Sequence, residues 1–157
     1  MNLLIRNIVK KLIKKKLKIS IAESCTGGLL SSSITKINGS SKIFNLGIVA
    51  YSNYSKTKIL KIPQRKIIKY GAVSKKICFD MVKNVSKIGN SKIAVSVTGI
   101  AGPSGATKNK PIGLVYIGIK KGNKIIIKRY LFKNKGRSYI QRISVNECLN
   151  LILKSLK

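Results

Sequence analysis

The sequence contains no histidine, no tryptophan and only three acidic residues, Glu23, Asp80 and Glu147, among its 157 residues. Without histidine, Ser-His-Asp triads, Cys-His dyads and histidine-bound metals are excluded. The three carboxylates are spread along the chain and do not supply the close pair that carboxylate acid/base catalysis uses. Any covalent catalysis therefore depends on Ser, Thr, Tyr, Cys or Lys.

Cysteine is scarce as well. Cys25, Cys78 and Cys148 are odd in number and far apart, and they lack the paired spacing of a metal site. We expect reduced thiols, a cytoplasmic location, and no metal or other cofactor. No apolar run approaches the roughly 18 residues of a membrane span, and the N-terminus lacks the apolar stretch and cleavage site of a signal peptide.

The formal net charge is +30, from 33 basic residues. Such a charge is typical of nucleic-acid binding. However, Lys, Ile and Asn, whose codons are AT-rich, make up about two-fifths of the chain, far above ordinary usage. Basic residues are also scattered over nearly every segment. We interpret the charge as a solvated lysine surface that reflects codon bias, with weak non-specific RNA binding at low salt as its consequence.

The length predicts one domain, residues 1–157. Residues 3–16 form a basic helix with an apolar stripe, which we expect to pack on the sheet; a membrane-surface helix or transit peptide would show the same pattern. The order of the remaining segments predicts a single α/β/α layer structure. Helices are predicted at 27–37, 64–70, 74–88 and 138–156, and a short helix that carries Lys56 is predicted to begin at Asn53 and to be broken by Pro63. Strands are predicted at 17–22, 92–97, in a hairpin at 112–120 and 124–132, and at 44–51, which reads as buried on both faces.

Three polar, glycine-rich loops, residues 22–28, 51–56 and 98–103, each follow a predicted strand. In open α/β sheets, ligands bind outside the carboxyl ends of the strands, where loops and helix N-termini present hydroxyl and N–H groups. The sequence therefore predicts that these three loops build one site.

These segments, taken in order, resemble the CinA C-terminal domain family, the nicotinamide-mononucleotide deamidases. The resemblance covers residues 19–156 and rests on the motifs AESCTGG, NGSS, GIVAYSN with its trailing Lys, YGAVS, SVTGIAGP and KPIG. It implies hydrolysis of the carboxamide of nicotinamide mononucleotide to nicotinate mononucleotide and ammonia, a step of pyridine-nucleotide salvage. It also implies a three-layer α/β/α sandwich around a mixed, mostly parallel sheet of about five strands.

In many family members this domain follows a molybdopterin-binding-like domain, which the sequence lacks, so we expect a stand-alone form. Because family members often self-associate, we also expect a homodimer. The sequence departs from the family pattern at Ala106, where a second glycine is usual, and at Ser55, where a small apolar residue is common. Ala106 matters only if its position requires a positive φ.

Ser24 and Lys56 are the preferred catalytic pair, and Ser41 is the rival nucleophile or a partner of Lys56. A lysine with its ordinary pKa of about 10.4 is neutral in only about 1 molecule in 2,500 at pH 7, so Lys56 acts as a base only if its pKa falls. Tyr51 could hold Lys56 or pass a proton to the departing ammonia. Cys25 reads as a small buried thiol rather than a nucleophile.

The remaining predicted site residues bind substrate. Glu23 either orients Lys56 or a substrate hydroxyl, or serves as a charge at a helix N-terminus. The segment Thr26, Gly27 and Gly28 offers N–H groups for an oxyanion hole or phosphate cradle. A second wall, where Thr98 contacts the carboxamide or ribose, consists of Thr98, Gly99, Ala101 and Gly102. Phosphate or ribose contacts, or a solvated basic face, are assigned to Arg137 and Arg142. Two other functions stay open, a catalytically idle nucleotide-binding module and a basic nucleic-acid-binding protein on the same fold.

Overall fold

The computed structural model describes residues 2–157. In chain order, its elements are α1 (Asn2–Lys14), β1 (Ile19–Glu23), α2 (Leu29–Thr35), β2 (Phe44–Val49), α3 (Asn53–Lys58), α4 (Gln64–Tyr70), α5 (Lys75–Ile88), β3 (Ile93–Gly99), β4 (Leu114–Lys121), β5 (Lys124–Leu131) and α6 (Arg137–Ser155). A short 3₁₀ turn, Ser40–Lys42, precedes β2.

The five strands form one sheet in the order β2-β1-β3-β4-β5. β1 pairs in parallel with β2 and β3, whereas β4 is antiparallel to β3 and β5 is antiparallel to β4. Every strand except β4 therefore runs in the same direction, and the predicted mixed, mostly parallel sheet is confirmed.

Helices cover both faces of the sheet, which confirms the three-layer α/β/α fold. On one face, α1, α2 and α6 enclose the larger apolar core. On the other face, α5 packs on β1, β3, β4 and β5, with α3 and α4 beside it. Ile88, the last residue of α5, is 48% exposed.

The apolar stripe of α1 is buried. Ile5, Ile8, Val9 and Leu12 pack into the larger core, where α1 lies against α6. Because these side chains are already covered, they are not available to enter a bilayer surface. Among residues 2–157, no helix combines the length and the apolar character that crossing a membrane requires.

The prediction that residues 44–51 form a strand buried on both faces is wrong. β2 is an edge strand, and exposed and half-buried residues alternate along it. Leu46 and Ile48 pack towards the smaller core, while Val49 on the opposite face is 48% exposed. The seven-residue helix α2 is too short to cover that face completely.

Candidate functional site

The loops that follow β1, β2 and β3 meet at one edge of the sheet. Glu23, the last residue of β1, is in register with Val49 on one side and Val97 on the other. The ladder continues one step further, because the Ala50 N–H donates to the Glu23 carbonyl at 2.7 Å and the Ser24 N–H donates to the Val97 carbonyl at 2.9 Å. The three loops therefore begin side by side, as the sequence predicts.

Lys56 reaches across this edge to Ser24. The start of α3 is fixed by Ser52, whose hydroxyl caps the helix, and Lys56 lies one turn later. A side chain at this point of a helix leans back towards the helix N-terminus. Only 1% of Lys56 is exposed, and its ammonium donates hydrogen bonds to the Ser24 hydroxyl at 3.0 Å, the Ala50 carbonyl at 2.8 Å and the Tyr51 carbonyl at 3.2 Å.

Burial lowers the pKa of Lys56 to about 8. No carboxylate offsets this effect, because the salt bridge found in residues 2–157 joins Lys66 to Asp80 instead. With that pKa, about one Lys56 side chain in ten is neutral at pH 7 and able to accept a proton. Burial raises the pKa of the adjacent Cys25 thiol to about 12, so the thiol stays protonated and is a poor nucleophile.

Ser24 and Lys56 both line a cavity of about 320 Å³. Its lining residues are Ser24, Cys25, Tyr51, Lys56, Ala72, Val73, Thr98, Gly99, Ile100, Ala101, Gly102, Ser104, Gly105 and Arg137. The volume lies at the lower end of the range for small-molecule sites. Sequence reasoning did not assign Ala72, Val73, Ile100, Ser104 and Gly105 to the site. The YGAVS motif was the one signal for Ala72 and Val73.

Arg137 joins the mouth of the cavity to the loop after β2. Its guanidinium donates to the Tyr51 hydroxyl at 2.8 Å and to the Gly102 carbonyl at 2.9 Å. Arg142 lies five residues further along α6, on a different side of the helix. It is exposed and does not line the cavity, so the structure brings only Arg137 to the site.

Glu23 points away from Lys56, to the other face of the sheet. Its side chain is fully buried, and both carboxylate oxygens accept hydrogen bonds from the start of α2. The donors are the Thr26 hydroxyl at 2.6 Å, the N–H groups of Gly28, Leu30 and Ser31 at 3.2, 3.0 and 2.8 Å, and the Ser31 hydroxyl at 2.7 Å. The carboxylate thus replaces the side-chain cap that Gly28 cannot provide, and it neither orients Lys56 nor faces the cavity.

Internal contacts occupy most of the groups predicted to form an oxyanion hole or phosphate cradle at the start of α2. The Gly27 N–H donates to the Ser24 carbonyl at 3.1 Å, and the Thr26 hydroxyl and Gly28 N–H donate to Glu23. None of these three residues lines the cavity. The partial positive charge at the N-terminus of α2 is already offset by the carboxylate of Glu23.

Ser41 also lies outside the site. It is exposed in the 3₁₀ turn that enters β2, whereas Lys56 follows the far end of that strand. A six-residue strand spans roughly 20 Å, so the structure does not bring the rival nucleophile to Lys56.

The two departures from the family pattern are accommodated. The left-handed positions in this loop are Gly102 and Gly105, with φ of +81° and +91°, and Ala106 is not one of them. Ala106 is exposed and lies outside the cavity lining. Ser55 completes a capping box with Ser52, which stabilises the start of the helix that carries Lys56.

A larger hollow of about 570 Å³ lies at the opposite end of the sheet. Its lysines are Lys16, Lys18, Lys87, Lys92 and Lys120. These lysines outweigh the partial negative charge at the C-terminal ends of α1 and α5, but among residues 2–157 no lysine of this hollow donates to a serine hydroxyl as Lys56 does to Ser24. We therefore assign the functional site to the smaller cavity, which holds the hydrogen-bonded Ser24 and Lys56 side chains.

Fold and site together define an α/β/α sandwich protein with a buried Ser-Lys pair in a loop-built cavity at the carboxyl edge of its sheet. The chain belongs to the CinA family, since the model of the CinA C-terminal domain matches residues 2–156.

Among curated proteins, the chain is 50% identical over 145 residues to a CinA-like protein of Prochlorococcus marinus (strain MIT 9515), covering 91% of this chain and 34% of the relative. It is 42% identical over 149 residues to a putative competence-damage inducible protein of Thermoanaerobacter pseudethanolicus, covering 95% and 36%. The chain thus spans about a third of the length of these relatives.

Two solved structures share the fold. The competence/damage inducible protein CihA from Agrobacterium tumefaciens has a TM-score of 0.96 at 31% identity, with 99% of this chain and 95% of that chain covered. A CinA superfamily protein from Escherichia coli has a TM-score of 0.89 at 26% identity, with 98% and 90% covered.

Proposed function

We propose that the chain hydrolyses the carboxamide of nicotinamide mononucleotide to nicotinate mononucleotide and ammonia, in pyridine-nucleotide salvage. The observation that carries this proposal is the contact of the Lys56 ammonium with the Ser24 hydroxyl at 3.0 Å, in a cavity lined by Arg137. Amide hydrolysis needs a nucleophile activated by a base. Ser24 and Lys56 supply both in a chain that has no histidine.

In the first half-reaction, neutral Lys56 takes the proton of the Ser24 hydroxyl while its oxygen attacks the carboxamide carbon. The tetrahedral intermediate places negative charge on the former carbonyl oxygen. We assign the stabilisation of that charge to the N–H groups of Ala101 and Gly102, two residues of the cavity lining. Lys56 then returns the proton to the amide nitrogen, the C–N bond breaks, and ammonia leaves an ester on Ser24.

In the second half-reaction, neutral Lys56 takes a proton from water, which attacks the ester carbon. Collapse of this intermediate breaks the bond to the Ser24 oxygen, which takes the proton back from Lys56, and nicotinate mononucleotide is released. Tyr51 holds Lys56 through its backbone carbonyl, while its hydroxyl accepts from Arg137.

Arg137 is assigned to the phosphate of the substrate, because its exposed guanidinium lies at the cavity mouth and matches phosphate geometry. A phosphate at the mouth stays clear of Lys56, whose pKa a nearby anion would raise. Thr98 is buried in the cavity wall and donates to the Ala72 carbonyl at 3.0 Å, so its oxygen is left to accept from the carboxamide or ribose.

The test is the formation of ammonia and nicotinate mononucleotide by the purified protein at physiological salt, with and without EDTA. Ser24→Ala is expected to abolish turnover, and Ser41→Ala, the same change outside the cavity, to preserve it. Lys56→Met is expected to lower kcat by roughly 10²- to 10⁴-fold, whereas Lys58→Met, on the same helix and exposed, leaves it unchanged. Full activity in Ser24→Ala or Lys56→Met would refute the catalytic pair.

One observation favours a second function, weak binding of RNA. The 33 basic side chains face only three carboxylates, which leaves a net charge of +30 without a counter-charge in the chain. Affinity for a single-stranded RNA oligonucleotide would then fall steeply between about 50 and 200 mM salt and be indifferent to Ser24→Ala. If the protein binds nicotinamide mononucleotide but forms no product, it is an idle nucleotide-binding module instead.

A further inference from the structure

The loop that connects the cavity wall to β4 is tied to the body of the protein by the side chain of Lys110. Residues 103–109 are all exposed, and Thr107 and Lys110 close a small hairpin through backbone hydrogen bonds of 2.9 and 3.1 Å. From this hairpin, the Lys110 ammonium crosses to α4 and donates to the Tyr70 carbonyl at 2.9 Å.

The local backbone is built to admit this contact. Tyr70 is the last residue of α4, where free carbonyls and the helix dipole favour a cation. Gly71 follows with φ of +76°, and a Cβ on Gly71 would lie 2.5 Å from the Lys110 ammonium. Glycine therefore gives both the turn and the space that the lysine occupies.

The contact links two segments of the cavity lining, which we call its two walls. Directly after Gly71, Ala72 and Val73 line one wall, and Ala72 also accepts the hydrogen bond of Thr98. Upstream of Lys110, Ser104 and Gly105 line the other wall. Lys110 itself is not among the lining residues, so it acts on the walls rather than on a ligand.

We propose that Lys110 is a positioning residue that holds these two walls at the separation that the substrate requires. The proposal rests on the function assigned to the site above. It gives a role to two motifs that the chemistry does not use, YGAVS and KPIG, since Gly71 belongs to the first and Lys110 to the second.

The main experiment compares Lys110→Met with Lys110→Arg and with Lys108→Met, a matched charge removal at the exposed tip of the same hairpin. Because Lys110 acts through the walls and not on the ligand, only part of the value of its charged hydrogen bond reaches binding, and we expect KM to rise by roughly 3- to 10-fold in Lys110→Met, with kcat changed by less than about twofold. Lys110→Arg restores most of the wild-type KM, and Lys108→Met leaves KM unchanged. An equal KM in the two Met variants overturns the proposal.

A double-mutant cycle tests the proposed contact directly. Gly71→Ala alone should raise KM, because the new methyl group displaces the Lys110 ammonium. If the contact is the cause, Gly71→Ala adds little in the Lys110→Met background; additive effects on KM count against it. Thermal unfolding of each variant separates this local effect from the strain of alanine at a positive φ.

Hydrogen exchange distinguishes failure of this inference from failure of the proposed function. Amide exchange of residues 70–74 and 103–111 requires no turnover, and Lys110→Met should accelerate it in both segments while Lys108→Met does not. If the wild type binds nicotinamide mononucleotide without hydrolysing it, a weaker Kd in Lys110→Met with faster exchange supports the positioning role although the proposed function fails. The positioning role is overturned if Lys110→Met leaves exchange unchanged in both segments, or if the wild type does not bind nicotinamide mononucleotide.

Discussion

Lys56 and Ser24 are 32 positions apart and follow different strands, yet the ammonium of one lies 3.0 Å from the hydroxyl of the other. The parallel pairing of β1 and β2 brings their loops together, and α3 directs Lys56 back over the end of β2. The same burial that holds Lys56 in place lowers its pKa to about 8. The protonation of one side chain therefore links activity, stability and pH.

The pH dependence of activity follows from this pKa. Only neutral Lys56 accepts the Ser24 proton, so kcat/KM should rise with pH, by about tenfold per unit well below pH 8, and level off above it. Initial rates between pH 6 and 9.5 test this expectation. Lys58→Met should give the wild-type profile, and a profile that is flat or falls through pH 8 would mean that Lys56 is not the base.

Stability should depend on pH through the same group. The pKa of Lys56 is about 8 in the folded protein against a reference value of 10.5, so between these values the unfolded chain binds more protons than the native one. The free energy of unfolding must then rise with pH in this window, by up to about 3 kcal/mol for one group.

This rise can be measured as the difference in the free energy of unfolding between wild type and Lys56→Met. The variant lacks the titrating group, and the contributions of the other lysines are the same in both proteins and drop out of the difference. Urea unfolding at several values from pH 7 to 10.5 should show the difference shifting in favour of the wild type. A difference independent of pH would show that the pKa of Lys56 is not lowered by folding.

The position of the site could be predicted from the sequence because parallel strands deliver their following loops to one edge. The orientation of Glu23 was also encoded, through strand alternation: Ile21 and Glu23 share the face that α2 covers, whereas Ala22 faces the smaller core. The contacts of Glu23 agree with the second of its two predicted roles, a charge at a helix N-terminus. The sequence alone could not decide between the two roles, because Glu23 approaches α2 from the preceding strand and not from the usual capping position.

The edge position of β2 was not predictable from its apolar run. Exposure of Val49 depends on the order of strands in the sheet and on the length of α2, which are set by packing between distant segments. The same holds for Ala72 and Val73, which reach the cavity only because α4 and α5 place the intervening turn beside Thr98.

Glu23 should contribute to stability rather than to chemistry. Glu23→Gln replaces a buried carboxylate that accepts five hydrogen bonds with an amide that cannot accept on its nitrogen. We expect a loss of about 2–4 kcal/mol in the free energy of unfolding, measured by urea denaturation. Glu147→Gln, the same change on the half-buried side of α6, should cost less, and kcat of the folded Glu23→Gln protein should stay near that of the wild type.

Arg137 and Arg142 provide a matched pair for the phosphate assignment. Arg137→Gln removes the guanidinium that contacts Tyr51 and Gly102 at the cavity mouth, and it should raise KM for nicotinamide mononucleotide by roughly 10- to 100-fold, the value of a charged hydrogen bond. Arg142→Gln removes the same charge from an exposed site outside the cavity and should leave KM unchanged.

The corresponding nucleoside, which lacks the phosphate, tells whether Arg137 binds the phosphate or only holds the cavity mouth in shape. If Arg137 binds the phosphate, the kcat/KM for the nucleoside is nearly the same in wild type and Arg137→Gln. An equal loss with nucleoside and nucleotide would instead mean that Arg137 acts by holding Tyr51 and Gly102.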